Sequence, residues 1–77
     1  MMEYEFVCAV SMEFCLGRIL DRLKKRDVPY QITETNPANR WFRLDIQNLE
    51  FEHVKSLVRS LQMRGWLRFV RPLPRYS

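Results

Sequence analysis

The chain alternates before it does anything else. Along "EYEFVCAVS", residues 3 to 11, Tyr4, Phe6, Cys8 and Val10 fall on one side of a predicted strand. Val7 and Ala9 make the other side half apolar, as in a central strand. The period then changes. Leu16, Ile19, Leu20 and Leu23 recur at helical spacing over residues 12 to 26, with Met12 and Cys15 extending the stripe. Ser11 suits the N-cap and Glu13 the first turn. "KKR", residues 24 to 26, suits the negative helix end without any ligand, and Pro29 forbids continuation. "YQITET" reads as a short strand and "NPAN" as a turn. In "RWFRLDI", residues 40 to 46, Phe42, Leu44 and Ile46 point inward while Trp41, Arg43 and Asp45 point outward. A second helix follows, with Asn48 as its expected cap and Phe51, Val54, Leu57, Val58 and Leu61 as its apolar face. Gly65 ends it in a left-handed cap that lets Trp66 fold back on Leu61. "WLRFV" is the last strand.

That order is β-α-β-β-α-β, one strand-helix-strand unit written twice. At an offset of 38 residues Tyr4 matches Phe42, Phe6 matches Leu44, Leu16 matches Val54, Leu23 matches Leu61 and Arg26 matches Arg64. Each half is one strand-helix-strand unit. Two such units interleaved predict an α+β, ferredoxin-like fold: a four-stranded antiparallel sheet, strand order 4-1-3-2, with two helices on one face. The expected division is one domain over residues 1–71 and an extended tail over 72–77.

Such a sheet leaves its other face uncovered. The alternation places Glu5, Val7 and Ala9 there from the first strand, Trp41, Arg43 and Asp45 from the third, Gln31 and Thr33 at one edge, and Arg68 and Val70 at the other. Val7, Trp41, Arg43, Arg68 and Val70 are the expected partner-binding set, because an apolar patch with arginines at its rim calls for a cover. The cover can be another protein chain, a nucleic acid or the tail.

Charge sharpens this only slightly. The net charge is +4, and no acid follows Glu52, while Lys55, Arg59, Arg64, Arg68, Arg71 and Arg75 do. A basic last third fits an anionic partner or a solvated helix face and tail. An RNA-recognition sheet would stack bases on aromatics of both central strands; here the third strand offers Trp41 and the first offers none. Two cysteines and one histidine make neither a disulfide framework nor a zinc set, so no metal and no cofactor is expected. No carboxylate pair, nucleophile with base, or glycine-rich phosphate loop occurs, and the expectation is a protein that is not an enzyme. The longest apolar run, "FVCAV", is far short of a membrane span. The first 17 residues carry acids and no Lys or Arg, so a cytoplasmic location is expected.

"CLGRILDRLKKRDVPYQI", followed by "RWFRLDI" and "EFEHVKSLVRSLQMRGWLRFV", resembles the ACT domains, especially the small regulatory-subunit kind found with acetolactate synthase. The likeness spans nearly residues 4 to 71 and lies in the order of elements and in the apolar pattern. It implies a non-catalytic regulatory module that pairs with a protein partner or with its own copies. It also implies a ligand loop at Ser11, Met12 and Glu13. The family usually carries Pro-Gly at that turn, where this chain has Glu13 and Phe14, and a phenylalanine there opposes close backbone approach by a ligand. The alternative is a small basic protein binding nucleic acid on the open sheet.

Overall fold

The computed structural model describes residues 2–74. Six elements follow in the expected order: β1 (Met2–Cys8), α1 (Met12–Lys25), β2 (Tyr30–Asn36), β3 (Trp41–Ile46), α2 (Phe51–Met63) and β4 (Leu67–Leu73). The strands form one antiparallel sheet ordered β2-β3-β1-β4. This is the ferredoxin-like arrangement, with β1 and β3 central.

The core is the inward set of both halves. Tyr4, Phe6 and Cys8 of β1 and Phe42, Leu44 and Ile46 of β3 are buried against Ile19 and Leu23 of α1 and Val54, Val58 and Leu61 of α2. Phe6 and Phe42 stack across the central strand pair, with ring centroids 5.0 Å apart. Tyr4 lies parallel to Phe51 at 6.0 Å and donates from its hydroxyl to the Leu49 carbonyl at 3.1 Å. Burial, with the Glu50 carboxylate adding to it, pushes the Tyr4 phenol above its ordinary value of 10.0. A raised acid group favours the folded state below the unfolded value and loses that preference as pH rises past it. Stability is therefore expected to fall above about pH 10. Tyr4→Phe, examined by denaturant melts over that range, should flatten part of the decline while costing about 1 kcal/mol at neutral pH for the lost hydrogen bond.

Both helices end in the same way. After α2, Gly65 takes φ 76°, its N–H donates to the Gln62 carbonyl at 3.0 Å, and Trp66 N–H donates to the Leu61 carbonyl at 3.0 Å. After α1, Asp27 takes φ 54°, its N–H donates to Lys24 at 3.1 Å, and Val28 N–H donates to Leu23 at 3.0 Å. These are two Schellman closures, one at each repeat of the offset. Only the closure after α2 has glycine in the left-handed position, where a side chain is strained. Asp27→Gly is expected to stabilise the fold by about 0.5–1 kcal/mol, read as a rise in melting temperature of several degrees.

Three expectations are corrected. Val70 is 8% exposed and belongs to the core, not to the outer face. The pairing of β1 with β4 shifts between Val7 and Cys8, so the β4 side carries an extra residue there and Leu67 and Val70 both face inward. Asn48 does not cap α2. It takes φ 60° in the preceding turn, and Glu50 is the N-cap, with no side-chain bond of its own. Finally, β4 runs past Arg71. Pro72 and Leu73, expected in the tail, pair with Tyr4 and Glu3; residues 75–77 lie outside the described residues.

Candidate binding face

Strand register sorts the outer face of the sheet into rows. Val7 stands opposite Trp41 on β3 and Phe69 on β4, while Trp41 stands opposite Asn36 on β2. This row is apolar across its first three positions. The next row is Arg71, Glu5, Arg43 and Glu34, one residue from each strand, alternating in charge. The third begins with Leu73 and continues through Glu3, Asp45 and Gln31.

The charged row is closed on itself. Glu5 is 6% exposed. Its Oε1 accepts from Arg43 Nε at 3.1 Å and lies 3.0 Å from Nη2, and its Oε2 accepts from Arg71 Nε at 2.8 Å and lies 2.7 Å from Nη2. Arg43 also reaches Glu34 at 2.8 Å, and its guanidinium sits 4.7 Å from the Trp41 ring centroid. Thr33, at the register shift in β2, donates to Glu3 at 2.5 Å. A carboxylate between two guanidinium forks is a strong, directional arrangement, and it ties all four strands together.

The expected contact residues divide accordingly. Val7, Trp41 and Arg43 are on the outer face, each half-buried. Arg68 is exposed, but Phe69 is the residue opposite Val7; Phe69 is 43% exposed and takes the place assigned to Val70. Strict alternation missed Phe69 because the extra residue inverts the faces of β4 at that point. The sequence signal was the spacing of Leu67 and Val70, three apart with both apolar.

Of the ligand-loop residues, Ser11 caps α1 by accepting from Phe14 N–H at 3.2 Å, Glu13 is exposed, and Met12 is 5% exposed in the core. The loop is thus occupied by capping and packing. Cys8 and Cys15 are free and buried. The hydrogen bond between these thiols, aided by burial, pushes Cys8 up, and the same bond lowers Cys15 despite burial, with Arg22 adding to the lowering.

A second cluster lies at the end of the molecule where α1 begins and α2 ends. Phe14 and Trp66 meet edge to face at 5.0 Å. The Arg18 guanidinium lies 5.0 Å from the Phe14 centroid and 5.5 Å from that of Trp66, and Arg64 lies 5.0 Å from Trp66. Sequence reasoning placed Trp66 only as the residue closing α2.

No protein-family model matches the chain, and neither curated proteins nor solved structures give a significant match. Among the described residues, no helix is long and apolar enough to cross a membrane.

Proposed function

We propose that this chain is a non-catalytic binding module that works by associating with protein, as the resemblance to ACT regulatory domains implies, and that the outer sheet face is the contact surface. The observation that carries this reading is the row Trp41–Val7–Phe69. It is an apolar strip on a face whose neighbouring charges already satisfy one another. A protein laid over it would bury apolar area without stranding Glu5, Arg43 or Arg71, the arrangement that makes a charged rim tolerable in an interface. The molecule measures 31 × 25 × 18 Å, so its broad face is of the order of the roughly 800 Å² that each partner contributes to a standard interface. A second copy is the simplest occupant, because a twofold pairing sets the strip against itself.

The same face suits a nucleic acid poorly. Glu3, Glu5, Glu34 and Asp45 share it with the guanidiniums of Arg43 and Arg71, and the ion pairs formed there engage both arginines. Phosphates would have to displace carboxylates to reach them.

Light scattering over a wide concentration range tests the reading. Wild type is expected above monomer mass at high concentration. Phe69→Asp is expected to return it to monomer while leaving the melting temperature nearly unchanged, since Phe69 lies outside the core. A wild-type chain that stays monomeric throughout would count against self-association.

A further inference from the structure

Arginines on the two sides of this protein are held differently. Arg43 and Arg71, on the sheet, are held by carboxylates. Those between the helices are not. Arg18 and Arg22 of α1 and Arg26 at its C-cap follow at intervals of four, so they rise about 6 Å apart on one side of the helix. Arg22 donates through Nη2 to Ser60 Oγ on α2 at 2.9 Å, and through Nη1 to the Arg18 carbonyl at 3.2 Å. Arg26 donates to the Arg22 carbonyl at 3.3 Å and lines a groove of about 240 Å³ with His53, Ser56 and Leu57 of α2. At the other end Arg18 and Arg64 lie against Trp66. Among the described residues, none of these four arginines has a carboxylate within ion-pair distance. The cleft between α1 and α2 is therefore edged by a line of arginines without carboxylate partners, faced by Ser60, Ser56 and His53, with Leu49 and Leu57 lining the groove at its Arg26 end.

We propose that this cleft binds the phosphodiester backbone of single-stranded nucleic acid. The site goes beyond the protein association argued for the sheet and lies on the opposite side of the molecule. A row of equal charges at a regular interval matches a polymer whose anions repeat, and serine hydroxyls are common donors to phosphate oxygens. The hydrogen bonds and ring contacts already made hold the guanidiniums in place and leave other N–H groups free, so less side-chain freedom is lost on binding. Phe14, 39% exposed beside Arg18, gives a base a surface to stack on at the cleft's end. The groove at the Arg26 end is lined by Leu49 and Leu57 as well, but a protein segment seated there would still face arginines that recur every four residues, a spacing that repeating phosphates match.

Fluorescence anisotropy of a fluorescein-labelled thymidine dodecamer, titrated with the full chain at several salt concentrations, tests the site. Three to four phosphate contacts give a slope of log K against log salt of about −2 to −3, at about 0.7 per contact. Affinity should then fall about 15- to 60-fold between 50 and 200 mM salt. Arg22→Ala and Arg26→Ala should each make the slope shallower by about 0.7. Lys24→Ala removes the same charge from the exposed side of α1 and should leave the slope as in wild type. Circular dichroism of each variant confirms folding. The proposal is overturned by no binding at low salt, by equal effects of Lys24→Ala and Arg22→Ala, or by a glutamate-rich dodecapeptide that competes as well as unlabelled oligonucleotide. The last result would assign the cleft to an acidic protein segment.

Discussion

Leu44→Ala is expected to cost about 2–5 kcal/mol of folding stability. Leu44 is fully buried in β3, a central strand, within the core cluster that both helices also supply. Its neighbours are fixed by their own packing: Tyr4 is its cross-strand partner, and Phe6 stacks on Phe42. They cannot collapse far into the space a leucine leaves, so a cavity penalty adds to the lost transfer energy. A 77-residue domain has little to spare. At roughly 4–8 °C per kcal/mol for a domain of this size, thermal melting should fall by about 8 °C or more. An unchanged melt would mean that β3 presents its other side to the core.

Glu5→Ala is expected to cost about 1.5–3 kcal/mol, which is less than the loss of a fully buried partner because the arginines stay partly hydrated. Glu5 is the shared acceptor of Arg43 and Arg71, whose side chains are 32% and 56% exposed. Without it Arg43 keeps Glu34, Arg71 loses its carboxylate, and two like charges remain over one strand. Glu5→Gln preserves the shape and one set of lone pairs, so it should lose roughly half as much. Denaturant melts of Glu5→Ala, Arg71→Ala and the double variant measure the coupling. A coupling energy indistinguishable from zero would show that the clamp adds nothing to stability.

The fold was legible because both halves repeat one inward pattern. The offset of 38 residues that matches Tyr4 to Phe42 also matches Glu5 to Arg43, and those two are direct cross-strand partners. The internal symmetry of the sequence therefore passes through the ion pair at the middle of the sheet. Alternation alone put both residues on the outer face. It did not reveal the clamp, since Arg71 joins only after the register shift opposite Val7 and Cys8 has turned it outward. The same shift hid Phe69 and misplaced Val70. Asn48 illustrates another limit: its side chain suits a cap, but the turn before α2 needed a residue at positive φ, and asparagine met that need instead. The helix cleft was invisible for a different reason. The sequence marked Arg26 only as a charge at the helix end and singled out neither Arg18 nor Arg22; Ser60, Ser56 and Trp66 come alongside them only through the tertiary fold.

Trp41 sits in the apolar row and reports directly on whether that row is covered. With Trp66 replaced by phenylalanine, Trp41 is the single tryptophan, and its emission can be followed as the protein is concentrated. Association through the sheet face should shift the emission to shorter wavelength and protect it from acrylamide in step with a rise in mass by light scattering. Emission and quenching that stay constant while the mass remains that of a monomer would contradict the proposed contact surface.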